Sequence, residues 1–120
     1  MLRAVWHGIV IAETPRTVRI EGNHYFPPES VDKKYFVASK SRTLCPWKGV
    51  ANYYDLKSGQ RTSSNGAWYY PHPSPIARRI KNHIAFYDEV RIDGEREPGP
   101  ENGNGLRGAL SKLFGRNEAP

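Results

Sequence analysis

The body of this chain is a succession of short β-branched and aromatic runs cut by turn residues, a pattern that leaves few folds open. Arg3–Trp6 and Ile9–Glu13 flank His7-Gly8, a two-residue hairpin turn in which Gly supplies a positive φ. Thr17–Glu21 alternates polar and apolar, and Glu21-Gly22-Asn23-His24 is turn chemistry. Tyr25-Phe26 then runs into Pro27-Pro28, which ends any pairing. Further runs are Tyr35–Ala38, Val50–Leu56, Ala67–Tyr70, His83–Tyr87 and Val90–Ile92, with turns expected at Ser58-Gly59 and Asn65-Gly66. Helix is confined to a turn after Pro27-Pro28 and to Pro75–Ile80, where Pro suits the first helical position. About seven or eight short strands at this spacing predict an all-β domain with one or two short helical turns. No internal repeat is visible.

With 120 residues the chain has room for one domain and one core. The body runs to Glu97. Residues 98–105 (Pro-Gly-Pro-Glu-Asn-Gly-Asn-Gly) read as a flexible linker. In the tail, residues 106–120, Leu106, Leu110, Leu113 and Phe114 fall at i, i+4, i+7 and i+8, one apolar face of a short amphipathic helix. Docking of that helix on the body is its simplest fate, and a lipid or partner contact is the alternative. Mean hydropathy is −0.71, so the core must be built largely from the seven Tyr, four Phe and three Trp. No run approaches the roughly 18 apolar residues of a membrane span, and Met1–Glu13 makes a poor signal peptide. One Cys excludes an internal disulfide and a Cys-ligated zinc module, and fits a reducing, cytoplasmic setting. His7, His24, His72 and His83 show no paired metal spacing, so neither a metal nor another cofactor is expected.

The net charge is +6, unevenly spread. From Lys33 to Tyr54 stand Lys33, Lys34, Lys40, Arg42 and Lys48 with no acid, and Arg78, Arg79 and Lys81 form a second cluster. Such clusters attract phosphate or nucleic acid, or simply keep a protein soluble.

Three stretches concentrate unusual chemistry: Glu21-Gly22-Asn23-His24-Tyr25-Phe26-Pro27, Thr43-Leu44-Cys45-Pro46-Trp47-Lys48-Gly49 and Ala67-Trp68-Tyr69-Tyr70-Pro71. In this order, with His83-Ile84-Ala85-Phe86-Tyr87 following, they resemble the Domain of Unknown Function 427 family over roughly Val5 to Ile92. That family is also labelled nucleotidyltransferase-like, without an established reaction. The resemblance implies a β-tent arrangement, two antiparallel sheets pinned at one edge and open at the other. Methionine sulfoxide reductase B and the ligand-binding domain of cereblon have related folds, usually with a zinc held by two CxxC pairs. Cys45 stands alone here, so the resemblance carries no zinc with it.

Each residue of these blocks has a bland and a sharp reading. Cys45, three residues before Lys48, is either a small side chain filling a gap in the core or a thiolate held by the ammonium. Lys48 beside Gly49 places a cation near bare backbone, as phosphate and carboxylate sites often need, or is an exposed Lys at a strand start. Trp47 and Trp68, with Tyr25, Tyr53, Tyr54, Tyr69 and Tyr70, either wall a pocket for a planar ligand or make up the core of a small β protein. Alternation puts Trp68 and Tyr70 on one face, expected to be inward, and Tyr69 on the other. Glu21 ends a strand as a solvated charge, as a general base, or as the anionic partner of Lys48.

The expected function is binding of a small anionic or planar ligand between the sheets. Lys48 neutralises it, Trp47 and Trp68 stack on it, and Glu21 orients it. Two rivals stand beside this: an enzyme acting on that ligand through Cys45 or Glu21, and a nucleic-acid or acidic-partner module using the basic clusters.

Overall fold

The computed structural model describes residues 1–98. Nine strands are found there: β1 (Leu2–Trp6), β2 (Ile9–Thr14), β3 (Val18–Ile20), β4 (Asn23–Tyr25), β5 (Phe36–Cys45), β6 (Gly49–Ser58), β7 (Arg61–Tyr69), β8 (Ile84–Phe86) and β9 (Val90–Gly94). Pro28–Ser30, Lys33–Tyr35 and Pro75–Ile80 are short 3₁₀ turns, the last kinked at Ala77. The all-β expectation holds. None of the described helices is long and apolar enough to cross a membrane. The expected linker beyond Pro98 and the amphipathic helix at Leu106–Phe114 lie outside the described residues.

The strands form three antiparallel sheets, not two: β2-β1-β9, β3-β4 and β5-β6-β7-β8. The third sheet exists because Glu21 and Gly22 both take positive φ (55° and 82°), closing a tight hairpin. Pro27 and Pro28 then cut β4 short before it can join a longer ladder. Paired hydrogen bonds of 2.8 Å between Phe26 and Ile84 still tie the hairpin to β8. His7 and Gly8, at φ 49° and 80°, close β1 to β2 in the same way.

Asn65-Gly66 is not a turn between strands; it is an irregularity inside β7. Leu56 pairs with Ser63 and Tyr54 with Ala67, so Ser64, Asn65 and Gly66 all face Asp55. The Asp55 carboxylate accepts from the Asn65 N–H at 2.8 Å, which holds Asn65 at φ 53°. A Cβ on Gly66 would stand 2.9 Å from Leu56, so the bulge lets backbone and core pack closely.

The four-stranded sheet has a core on each face. On one side Leu2, Ala4, Trp6, Ile11, Phe26, Leu56 and Ala67 are buried against β1 and β2, with Tyr54 and Tyr69 packed alongside. On the other, Tyr25, Ala51, Tyr53, Tyr70, Ala77, Ile80 and Ala85 form a second core, with Cys45 and Trp68 against it. Trp68 and Tyr70 share a face and Tyr69 lies on the other, as alternation requires. The fully buried part of the first core is mainly aliphatic around Trp6 and Phe26, and the second is built around Tyr25, Tyr53 and Tyr70.

Candidate functional site

Two hairpin tips meet at one end of the second core. One is the β3–β4 turn, which carries Glu21; the other is Pro46-Trp47-Lys48, between the paired residues Cys45 and Gly49. A third segment braces the second tip: the Ser74 N–H donates to the Lys48 carbonyl at 3.0 Å, and the Ser74 hydroxyl to the Trp47 carbonyl at 2.6 Å. Gly49 permits this approach. Its φ is 119°, and a Cβ there would lie 3.1 Å from the His72 carbonyl.

Lys48 is buried, with 5% of its surface exposed, so its charge needs a partner. Its ammonium donates to Glu21 Oε1, and the Trp47 indole N–H donates to Glu21 Oε2 at 3.1 Å. The same ammonium lies 5.1 Å from the Trp47 ring centre and 5.7 Å from that of Tyr70. Hydrogen bonds from Lys48 and Trp47 hold the Glu21 carboxyl below its usual range. Burial pulls the Lys48 ammonium down, but Glu21 and the neighbouring Tyr25 and Cys45 outweigh that and raise it. The pair is charged at neutral pH.

Cys45 sits beside this pair and is only partly buried. Burial raises its thiol, yet backbone N–H groups of Trp47 and Lys48 and the Lys48 charge outweigh it, so the net direction is downward despite Glu21. Pro46 contributes by having no N–H of its own, leaving the next two amides to turn toward the sulfur. Tyr25 and Tyr70 line the buried side, and burial pushes both phenols up, so they stay neutral. Trp68 is one step back: its indole donates to the Tyr25 hydroxyl at 3.2 Å, and its ring packs on Tyr87 at 4.6 Å.

Glu21, Tyr25, Cys45, Trp47, Lys48, Gly49 and Tyr70 therefore share one neighbourhood, with Trp68 joined through Tyr25. The open hollows lie elsewhere. One of about 550 Å³ is lined by Arg42, Tyr53, Asn65, Tyr87 and Glu89. Another, of about 340 Å³, has Phe36, Tyr54 and Tyr69 as walls and Lys33 at its edge. Tyr54 and Tyr69 stack there at 4.8 Å. Tyr54 and Tyr69 are among the aromatic residues expected to wall a pocket, and alternation sets them on the face opposite to Tyr53, Trp68 and Tyr70. Among the described residues no group of three or more His, Cys, Asp or Glu is placed to hold a metal ion.

A family model matches residues 1–98, the whole of the described body, and its family is the domain of unknown function DUF427. The chain belongs to that family. No curated protein matches it. All three sequence blocks that suggested DUF427 contribute to the junction: the β3–β4 tip, the β5–β6 tip and the end of β7. In this DUF427 chain they set the Glu21 carboxylate on the Lys48 ammonium, with the partly buried Cys45 in the same turn as Lys48.

Proposed function

We propose that this protein binds a small anionic or planar molecule at the junction of the two hairpin tips and attacks it with Cys45. The supporting observation is a partly exposed sulfur in the same tight turn as the buried Lys48 ammonium, a setting in which that charge and the turn's N–H groups draw the thiol downward. Such an electropositive, accessible setting is where reactive cysteines are found, whereas inert ones lie in apolar surroundings. Lys48 attracts the ligand's negative end, and Glu21, half exposed at its hairpin tip, is the internal anion that the ligand displaces. Trp47, 37% exposed, offers the stacking surface.

In the chemical step the sulfur lone pair forms an S–C bond to an electrophilic carbon of the ligand. The electron pair that it displaces leaves with the departing atom, which takes a proton from Lys48; Lys48 regains its proton from solvent, and Glu21 pairs with the ammonium again once the product leaves. The proposed setting is the cytoplasm, where the lone thiol stays reduced.

A thermal-shift screen of small carboxylates, sugar phosphates, nucleotides and planar heterocycles finds the ligand, and mass spectrometry of the mixture finds the adduct. Cys45→Ser is expected to keep the thermal shift and lose the adduct, and Lys48→Met to lose both. A stabilising compound bound undiminished by Lys48→Met overturns the assignment of the site. A reactive compound whose adduct survives in Cys45→Ser overturns the chemistry.

A further inference from the structure

At the far end of β3 from Glu21, two neighbouring hollows open on either side of Thr17. One, of about 360 Å³, is lined by Arg16, Thr17, Arg79 and Arg96. The next, of about 370 Å³, shares Thr17 and Arg96 and adds Arg19, with Glu95 as its carboxylate. Four guanidinium groups against one carboxylate is an unusual density in so small a volume.

Ordinary ion pairing does not use up the charge of Arg16 and Arg79. Neither Arg16 nor Arg79 has an ion-pair partner among the described residues. The Nε of Arg19 is buried and has no hydrogen-bond acceptor among them. A buried donor left without an acceptor is costly, a penalty that an incoming anion removes. The other nearby carboxylate, Glu97, is drawn aside by the N-terminal ammonium at 2.7 Å. Planar guanidinium forks match phosphoryl oxygens in pairs, and the two adjoining hollows suit two such groups side by side.

We propose that the hollows flanking Thr17 are a binding site for a small anion with phosphoryl groups, held by Arg16, Arg19, Arg79 and Arg96. Arg16, Arg79 and Arg96 stand beyond the end of β3 opposite to Glu21, and Arg19, whose guanidinium also donates to the Gly22 carbonyl at 3.4 Å, is the residue of the set nearest to the Cys45 junction.

The test is calorimetric and thermal-shift titration with inorganic pyrophosphate at constant ionic strength, using the full chain. Wild type is expected to bind and to gain melting temperature, with chloride giving no gain. Arg79→Gln, at an exposed position, should weaken binding roughly tenfold, and Arg16→Gln with Arg79→Gln should nearly abolish it. Circular dichroism and the ligand-free melting temperature verify that both variants are folded. Lys48→Met must bind pyrophosphate as wild type does, which separates this site from the Cys45 junction; loss of binding there would place the pyrophosphate at the junction and overturn the proposal. Equal affinity for pyrophosphate and a nucleoside diphosphate supports recognition of the phosphoryl groups alone, and tighter binding of the latter identifies a nucleotide as the source. No binding of pyrophosphate overturns the proposal, as does binding that survives the double substitution. Steeply salt-dependent binding of an oligonucleotide alone also overturns it, in favour of a nucleic-acid surface.

Discussion

Lys48 is the residue on which the site turns, because a buried ammonium dictates what its neighbours must be. Glu21 satisfies it from a half-exposed position, and solvent around the carboxylate limits what the pair adds to stability. Glu21→Gln is therefore expected to lower stability by about 1 kcal/mol at neutral pH. The sign with pH follows from the direction of the shift. Glu21's folded pKa lies below its ordinary value of 4.5, so its contribution is complete above that value and is lost as pH falls through the folded pKa. Melting curves of wild type and Glu21→Gln should separate at pH 7 and converge in acid. A difference that persists in acid would assign the loss to packing instead of charge.

At the scale of the element, the β5–β6 turn is the part that does most and tolerates least. Gly49 holds a φ of 119° with a carbonyl 3.1 Å from any added Cβ, whereas Gly59, in the β6–β7 turn at φ 60°, faces open space. Gly49→Ala should cost about 2–3 kcal/mol and disturb the amides that face Cys45, while Gly59→Ala should cost about 1 kcal/mol. Equal losses in denaturant melts would contradict the close approach of His72. Much of this level was readable in advance. Alternation located most of the strands, and His7-Gly8 and Ser58-Gly59 marked their turns because turn chemistry is local. Asn65-Gly66 misled for the same reason: the dipeptide favours positive φ, but only the distant Asp55 and Leu56 decide whether that becomes a turn or a bulge.

At the scale of the molecule, three small sheets and two cores bring together segments far apart in the chain. The candidate residues were readable because their types are unusual, and what was hidden is their arrangement. No local pattern says that the β3–β4 tip touches the β5–β6 tip, nor that Arg16, Arg79 and Arg96 surround one hollow. Within the basic run from Lys33 to Lys48, neighbours in sequence have different surroundings. Lys48 is buried on Glu21, Lys34 reaches Asp32 at 3.8 Å, and Arg42 donates to the Ser39 and Ser41 carbonyls. Among the described residues no cluster is placed to hold a metal ion, so the melting temperature is expected to be unchanged in EDTA. A fall in EDTA, or stoichiometric zinc by elemental analysis, would contradict that.

The measurement closest to the central claim is the rate of Cys45 alkylation by iodoacetamide as a function of pH, in wild type and in Lys48→Met. The geometry predicts an apparent thiol pKa below the ordinary value of about 8.5, moving upward when the ammonium is removed. Slow labelling with an ordinary or raised pKa, or a pKa indifferent to Lys48→Met, would reduce Cys45 to a packing residue and the Glu21–Lys48 pair to a clasp between two hairpins.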